Sequence, residues 1–393
     1  MADKIDDILA SWSSGRNALL YGPPATGKTK LISELFQSLS DPSEGKRGIL
    51  LDLADAERPF SRPEREIKIP RPIKVIWTTF HQSYGYEDFV LGLRPEITEQ
   101  GTRLQPWAGV FLDAALELAD PESEYRSVVI FIDEINRGNA ARIFGEFMTF
   151  LDFDYRDGGP VPLPLPLRQL TYEDGKSEEI RRPGGKVATI SEGFTFPRHI
   201  YIVSTMNSVD RAAVPIDSAL ARRFDRIEMR PDLDALVNNW SLDGDAVPVP
   251  TEDNWETLTP YETAYLLLDR LNVAVASDLG PEFELGHGLI APALVPKPSA
   301  DGGSHPVEEK EAWRSLAKTW DDVLFPQLED RYSGRPEQLM DLLHVDTAPP
   351  AGDYAWRLRT ARGGIVESRT LAPVRASELD IGVIKRSFRW LTR

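Results

Sequence analysis

One eight-residue segment has the residue types and the spacing of a phosphate-binding loop. It fits the pattern G-x-x-x-x-G-K-[ST] and consists of Gly22, Pro23, Pro24, Ala25, Thr26, Gly27, Lys28 and Thr29. Its two glycines allow the backbone to curl and to point N–H groups at a phosphate. We expect Lys28 to reach the β- and γ-phosphates of a nucleotide and the Thr29 hydroxyl to bind Mg²⁺. A chance glycine turn is the weaker alternative, because an apolar run precedes the segment and a helical pattern follows it.

Two acidic residues, Asp133 and Glu134, follow a continuous apolar run over residues 128–132. The carboxyl end of a buried strand in a doubly wound sheet faces the ligand crevice. We therefore expect Asp133 to hold Mg²⁺, directly or through water, and Glu134 to polarise an attacking water as a general base. A strand followed by a solvated acidic turn is the alternative, and the phosphate loop upstream makes it the weaker one.

Further polar side chains follow the next apolar run, residues 200–205. If that strand neighbours the acidic one, the amide of Asn207 could orient the water against the γ-phosphate. Arg222 and Arg223 end a predicted helix over residues 217–225. Because arginine makes bidentate contacts with phosphate oxygens, this pair is a candidate arginine finger for a neighbouring subunit. The alternative is a surface pair at a helix C-terminus, where cations are favoured.

The elements that must position these residues alternate between strand and helix. Strands are predicted over residues 17–21, 73–79, 128–132, 200–205 and 226–229, and helices over residues 28–39 and 111–118. Short apolar strands without strict alternation, separated by helices, indicate a parallel sheet that is covered on both faces. The sequence therefore predicts an α/β fold with a doubly wound parallel sheet.

A domain boundary is predicted near residue 232, which divides the chain into an α/β core, residues 1–232, and a mainly helical part, residues 233–393. Helical spacing in that second part covers residues 261–275, 310–328 and 337–343. Two proline-containing segments of the core, 40–72 and 154–197, are predicted to be surface insertions outside the hydrophobic core. Residues 357–393 contain nine Arg or Lys against three acidic residues. This basic tail is expected either to contact a partner or DNA, or to be a solvated segment or one that packs on the helical part.

Composition excludes several classes of function. The 393 residues include 62 acidic and 45 basic ones, a formal net charge of −17, so the chain is not a general coat for nucleic acid or anionic membranes. The absence of cysteine excludes disulfides, cysteine metal sites and thiol nucleophiles, and it suits a reducing cytoplasm. The start of the chain lacks the pattern of a signal peptide, and no apolar run approaches the roughly 20 residues of a membrane span.

Several longer motifs, taken together, resemble those of the AAA+ ATPases. They narrow the resemblance to the McrB-like branch, the NTP-driven subunit of modification-dependent restriction systems. The motifs are FHQSYGYEDF at 80–89, GLRP at 92–95, DEINRGN at 133–139, MNSVDR at 206–211, ALARRF at 219–224, LGH at 285–287 and LFPQL at 324–328. Ser208, Val209 and Ala221 depart from the residues common in the family. The resemblance spans about residues 17–343, most of the chain.

This resemblance implies an AAA+ P-loop NTPase with a C-terminal helical lid, working as a ring, typically a hexamer, with the nucleotide between subunits. It implies roles in hydrolysis for Glu134 and Asn207, and a role in trans for Arg222 or Arg223. It also ties Arg137 to the active site, and Asp210 could orient one of the arginines. The substrate is expected to be ATP or GTP with Mg²⁺. The best-known members prefer GTP, but the phosphate motifs do not define the pocket for the base. The expected partner is an McrC-like nuclease, with DNA reached through that partner or through the basic tail.

One departure from the family concerns DNA recognition. Members often begin with a DNA-reading domain, whereas the phosphate loop here starts at Gly22. We therefore expect a chain without that domain: a bare motor, a module whose DNA reader is another chain, or a relative with another target. A protein-remodelling chaperone of the related MoxR type is the alternative, which the motifs at 80–89 and 133–139 disfavour. A scaffold that binds but does not hydrolyse nucleotide is disfavoured because all the catalytic candidates are present.

Overall fold

The chain packs as two compact units in the computed structural model. The structure describes residues 2–40, 60–62, 65–70, 72–98, 101–159, 161–171, 179–190, 193–209, 216–240, 251, 254–298, 304–305, 307–347, 354–356, 358–363, 366–371 and 374–393. The first unit comprises residues 1–21 and 28–228, and the second comprises residues 22–27 and 229–393. The division after residue 228 lies close to the predicted boundary at 232. The packing also groups the phosphate-loop backbone, 22–27, with the C-terminal residues.

The first unit alternates strands and helices. Its elements are α1 (Ala2–Ser13), β1 (Asn17–Gly22), α2 (Lys28–Ser40), β2 (Phe60–Arg62), β3 (Arg65–Ile69), β4 (Ile73–Thr79), α3 (Tyr86–Phe89), β5 (Leu91–Thr98), β6 (Gly101–Ala108), α4 (Val110–Ala119), β7 (Ser127–Asp133), α5 (Ala140–Phe144), α6 (Leu165–Thr171), β8 (Glu179–Arg181), β9 (Val187–Thr189), β10 (Ile200–Asn207), α7 (Ser218–Ala221) and β11 (Phe224–Glu228). Helix α1 was not predicted from the sequence. The indole of Trp12 in α1 donates a hydrogen bond to Ile202 O of β10, 3.0 Å away.

Five strands form the predicted parallel sheet, in the order β11-β1-β10-β7-β4. Strand β10 lies between β1 and β7, and the register pairs Ser204 with Ile132. The carboxyl ends of β7 and β10 are therefore adjacent. Between β1 and β10 the strand order reverses, and ligands of doubly wound sheets bind at such a switch point. The doubly wound α/β fold is confirmed.

The strands are positioned by burial on both faces. Residues 128–132 of β7 are all 2 % exposed or less, which accounts for the continuous apolar run in the sequence. The same hydrophobic core contains an aromatic cluster of Phe80, Phe89, Phe111 and Phe144. The Phe89 and Phe144 rings lie at an interplanar angle of 70°, with 4.9 Å between their centroids. Edge-to-face pairs of this kind add to the stabilisation that burial provides.

The prediction that residues 154–197 stay outside the hydrophobic core is wrong for four apolar side chains. They are at most 1 % exposed and belong to the core of the first unit: Leu167, Ile180, Ile190 and Phe196. Ile180 stands among charged residues and Phe196 precedes Pro197, so the local pattern does not reveal the burial of these two side chains. Of the other predicted insertion, residues 41–59, 63–64 and 71 lie outside the described residues. Its β2 and β3 form an antiparallel pair.

A second sheet of the first unit has the order β5-β6-β8-β9. Strands β5 and β6 form a regular hairpin, and β6 meets β8 at the single pair Trp107 and Arg181. Directly after β8, the guanidinium of Arg182 contacts two carboxylates of α4, Asp113 at 2.7 Å and Glu117 at 2.6 Å. Lys74 of β4 also contacts Glu117, at 3.0 Å. This buried charge cluster joins the second sheet to the helix and the edge strand of the main sheet.

The second unit is mainly helical, as predicted. Its elements are α8 (Asp234–Asn239), α9 (Pro260–Asp278), β12 (Lys297–Pro298), β13 (Ser304–His305), α10 (Glu309–Thr319), α11 (Phe325–Arg331), α12 (Pro336–Leu342), β14 (Leu358–Gly363), β15 (Val366–Leu371) and α13 (Ile381–Trp390). A π-turn at Trp320–Leu324 joins α10 to α11. The core contains the fully buried Trp313 and Trp320. Within the described part of the chain, no helix is long and apolar enough to cross a membrane.

The last part of the basic tail is packed into the second unit. Helix α13 buries Ile384 and Phe388 in the core of this unit. Arg389 lies over the Trp313 ring, 5.1 Å from its centroid, and its Nε donates to Leu258 O at 2.8 Å. Residue 357, where the predicted tail begins, lies outside the described residues. Residues 374–393 therefore pack on the helical part, which was one of the alternatives for the tail.

Candidate functional site

The phosphate-loop backbone is curled by three residues with left-handed φ angles, Gly22 (154°), Ala25 (61°) and Gly27 (85°). A Cβ at Gly22 would overlap the carbonyl oxygen of Met229, so only glycine fits there. The Thr26 hydroxyl donates to Pro23 O at 3.0 Å and closes the loop on itself. A backbone of this kind presents successive N–H groups to an anion.

Lys28 begins helix α2 and is only 6 % exposed. Burial lowers the pKa of Lys28 to about 8, although the nearby carboxylates of Glu134 and Asp133 act to raise it. A partly desolvated ammonium group gains from a further anion, because the anion stabilises the charged form. The side chain of Thr29, the next residue of α2, is exposed.

Asp133 and Glu134 stand at the carboxyl end of β7, where Thr205 of β10 connects them. The Thr205 hydroxyl donates to Asp133 Oδ1 at 2.5 Å and accepts the Glu134 backbone N–H at 3.0 Å. Glu134 has a left-handed φ of 53°, which is uncommon for a residue with a Cβ. This turn takes the Glu134 side chain off the line of the strand, and strained backbone of this sort is often found at functional sites.

The carboxylate of Glu134 is held by two of the other predicted residues. Asn207 Nδ2 donates to Oε1 at 2.5 Å, and Arg137 Nε lies 3.4 Å from Oε2. Asn136 Nδ2 in turn donates to Asn207 O at 3.1 Å. The Asn207 amide, predicted to orient a water, is thus bonded to the candidate base itself. The structure brings Asp133, Glu134, Arg137 and Asn207 together at the ends of β7 and β10.

The two arginines of the predicted finger differ in their surroundings. The predicted helix is shorter than expected, ending at Ala221. Arg223 is 7 % exposed, and its Nε contacts Asp152 Oδ2 at 3.0 Å while Nη1 donates to Ala219 O at 2.6 Å. Arg222 is exposed. Of the pair, Arg222 has the side chain that a neighbouring subunit could reach. Asp210 lies outside the described residues.

Sequence reasoning missed two polar residues of this network, Thr205 and Asn136. Thr205 is 2 % exposed and Asn136 is 3 % exposed. A polar residue at the end of an apolar strand is a usable signal, because buried polar groups need partners. Nothing in the local pattern distinguishes Asn136, whose partner is the backbone of a strand far along the chain.

Comparisons with known proteins agree with this geometry. Residues 71–224 match the AAA domain family, dynein-related subfamily. Over 303 residues the chain is 28 % identical to the Type IV methyl-directed restriction enzyme EcoKMcrB subunit of Escherichia coli (strain K12), covering 76 % of this chain and 52 % of that protein. The chain is similar to McrB-like AAA+ proteins. The resemblance inferred from its motifs is confirmed.

A second relative of this McrB-like protein is also a restriction component. The Type II restriction enzyme BsuMI component YdiS of Bacillus subtilis (strain 168) is 25 % identical over 230 residues, covering 58 % of this chain and 61 % of that protein. The McrB-like chain therefore spans about half to three-fifths of the length of the two relatives.

Proposed function

We propose that this McrB-like protein is a nucleoside triphosphatase that hydrolyses ATP or GTP with Mg²⁺. The observation that carries the proposal is the network at the ends of β7 and β10, in which Asn207 and Arg137 hold the carboxylate of Glu134. A general base must be oriented before it can accept a proton from water in the transition state. The alternative, a solvated acidic turn, does not account for the two contacts to this carboxylate, one from the amide of a neighbouring strand and one from the guanidinium of the following turn.

The residues present fit a nucleotide triphosphate and Mg²⁺. The Asp133 carboxylate and the Thr29 hydroxyl are oxygen donors of the kind that Mg²⁺ prefers, and nucleotide-bound Mg²⁺ commonly uses one or two protein oxygens beside the phosphates. Lys28, with its pKa lowered to about 8 by burial, supplies a cation that an added anion would keep charged. When bound, the metal would neutralise charge on the phosphate oxygens.

The mechanism then assigns one task to each group of the chain. The phosphate-loop N–H groups and the Lys28 ammonium bind the phosphates and fix the γ-phosphorus. Glu134 accepts a proton from the water that attacks that phosphorus, and the bond to the leaving diphosphate breaks, which gives the nucleoside diphosphate and inorganic phosphate. Asn207 and Arg137 orient the carboxylate during this step. Arg222 is proposed to stabilise the charge on the phosphates bound by a neighbouring subunit, as an arginine finger does.

We further propose that hydrolysis drives or regulates a partner nuclease in an McrBC-like restriction system that defends against foreign DNA. The support is that both relatives are components of restriction enzymes. The subunits would form a ring, with a hexamer as the expected size, and DNA would be contacted through the McrC-like partner. The net charge of −17 supports a motor that leaves most DNA contact to another chain.

The proposal is tested by measuring phosphate release from ATP and from GTP, with and without an McrC-like nuclease, and by determining the mass of the complex in each nucleotide state. Glu134→Gln is expected to lower turnover at least about 100-fold while nucleotide binding persists. The matched control is Glu122→Gln, an exposed glutamate in a loop. No hydrolysis by the wild-type protein would refute the enzymatic proposal. Hydrolysis that never responds to the nuclease would refute the restriction role and favour MoxR-type remodelling.

A further inference from the structure

The exposed arginine of the pair, Arg222, stands at the end of a helix that is too short to hold itself in place. Helix α7 has only four residues, Ser218–Ala221, and Arg222 is its C-cap. Isolated helices shorter than about 12 residues are marginal in water, so a helix of this length depends on contacts at its ends. At the N-terminal end the contact is local, since the Asp217 carboxylate accepts the backbone N–H of Ala219 at 2.8 Å.

The contact at the C-terminal end comes from Arg16, in the turn between α1 and β1. Its Nη2 donates to Arg222 O at 2.7 Å, and its Nε donates to Asp225 Oδ1 at 2.5 Å. The last carbonyls of a helix have no partner within the helix, and an arginine near that end can satisfy them. One guanidinium therefore joins the carbonyl of Arg222 to a side chain of the following strand, β11.

The backbone of Arg16 is itself fixed. Its N–H donates to Ser11 O of α1 at 2.9 Å. The next residue, Asn17, begins β1, and its backbone N–H and its Nδ2 both donate to Arg223 O, at 3.2 and 3.3 Å. Two consecutive carbonyls, those of Arg222 and Arg223, are thus bonded to one short segment, residues 16–17. This segment fixes the backbone from which the exposed Arg222 side chain extends.

We propose that Arg16 is a positioning residue for the arginine that acts in trans. It holds the backbone of Arg222 where the guanidinium can reach phosphates bound by a neighbouring subunit. The proposal rests on the proposed function, in which Arg222 is the arginine finger. The ion pair with Asp225 is a weaker explanation for Arg16, because the two side chains are 44 % and 36 % exposed and such pairs contribute little to stability.

Mixed assemblies test this proposal, because Arg16 should matter only in the subunit that supplies the arginine. The reference mixture contains Arg222→Ala subunits, which keep their nucleotide site, and Lys28→Ala subunits, which keep their arginine. In a head-to-tail ring formed at random from equal amounts, about one interface in four joins an intact site to an intact arginine, so about a quarter of the wild-type phosphate release is expected. Arg16→Ala is then added to one type of subunit at a time.

The proposal predicts opposite results for the two placements. In the Lys28→Ala subunits, Arg16→Ala is expected to lower the recovered phosphate release about 10- to 100-fold, because a displacement of about 1 Å can lower a rate that much. In the Arg222→Ala subunits it is expected to leave the recovery within about twofold, because their own arginine is already removed. Equal losses in the two placements would mean that Arg16 supports the fold in general and would overturn the proposal. An unchanged recovery in both placements would also overturn it.

The matched control is Arg126→Ala. It removes a guanidinium that also donates to two carbonyls, Ser123 O at 2.7 Å and Tyr125 O at 3.2 Å, but at the amino end of β7. Its recovery is expected to stay within about twofold in either type of subunit. The mass of each mixture checks its assembly, and Arg16→Met, which keeps an unbranched side chain without the donors, replaces Arg16→Ala if the alanine subunits do not assemble.

The reference mixture separates this inference from the proposed function. If it recovers phosphate release, Arg222 acts in trans and the two placements decide the role of Arg16. If intact assemblies of the reference mixture recover nothing, the proposed role of Arg222 is overturned and the role of Arg16 with it.

Discussion

Replacing Arg182 by methionine is expected to destabilise the first unit far more than the same replacement at its neighbour, Arg181. The guanidinium of Arg182 is 2 % exposed and contacts two carboxylates that are themselves buried, Asp113 at 2.7 Å and Glu117 at 2.6 Å. Methionine has an unbranched chain that can occupy part of the space but brings no charge. The variant therefore leaves two buried carboxylates beside Lys74, with Lys186 at 3.6 Å from Glu117 as a further, exposed cation.

The expected magnitude follows from burial. Removing one partner of a buried ion pair costs about 3–5 kcal/mol, because the other charge stays desolvated. Arg181 contacts Glu96 at 2.7 Å, but the two side chains are 28 % and 29 % exposed, and such pairs contribute about 0–1 kcal/mol. A domain of this size changes its melting temperature by about 2–4 °C per kcal/mol. We expect a fall of about 6–20 °C for Arg182→Met and about 0–4 °C for Arg181→Met.

The same cluster predicts how the difference depends on pH. Burial acts to raise the pKa of Glu117, but contacts with Lys74, Ser123 and Arg182 outweigh it and hold this pKa at about 2, below the usual 4.5. A carboxylate with a lowered pKa stabilises the fold above its unfolded value, and this contribution is lost as the pH falls from about 4.5 towards 2. The difference in melting temperature between the wild type and Arg182→Met should therefore become smaller below pH 4.5.

Differential scanning calorimetry of the full chain at pH 7 and pH 4, at one ionic strength, resolves the transitions and measures these shifts. Equal shifts for the two arginine variants at pH 7 would refute the assignment of a stabilising role to the buried cluster. A difference that widens on acidification would refute the charge assignment of Glu117.

Three further changes test other parts of the molecule. Thr205→Val removes a hydroxyl that is hydrogen-bonded to both acidic residues of the site and should lower turnover about 10-fold or more. The control is Ser204→Ala, which should leave turnover unchanged because the buried Ser204 hydroxyl makes no hydrogen bond to any described residue. Arg222→Ala subunits mixed with Lys28→Ala subunits should recover part of the phosphate release if the arginine acts in trans, and no recovery in intact assemblies would contradict this. Arg389→Ala should lower the free energy of unfolding by about 1–3 kcal/mol, since it leaves Leu258 O without its donor. An unchanged urea midpoint would mean that the Arg389 side chain does not stabilise the second unit.

The strands, and the polar residues at their carboxyl ends, could be predicted from the sequence because they depend on local residue patterns. A strand buried on both faces needs a continuous apolar run, so residues 128–132 show it directly. The positions of Asp133 and Asn207 follow from where two neighbouring runs end. The contact between Asn207 and Glu134 is different, since it depends on the left-handed turn at Glu134, which no residue type in that stretch demands.

Charged residues show most clearly what the sequence could not reveal. Arg223 reads as one of two equivalent arginines, yet its partner Asp152 is 71 residues away in the chain. Arg389 reads as part of a basic tail, and only the folded second unit shows that its guanidinium lies over an indole ring. In both cases the charged end of a long side chain contacts a carbonyl or carboxylate far along the chain, which is a property of tertiary packing.

The left-handed backbone at Glu134 has a consequence for any attempt to engineer this protein for heat resistance. A residue with a Cβ in that conformation costs about 1–2 kcal/mol, and glycine avoids the cost. Variants at this position ranked only by melting temperature would therefore tend to place glycine above glutamate. The variant with the highest melting temperature in such a screen would be more stable but would lack its proposed general base. Selection at this position therefore has to measure turnover as well.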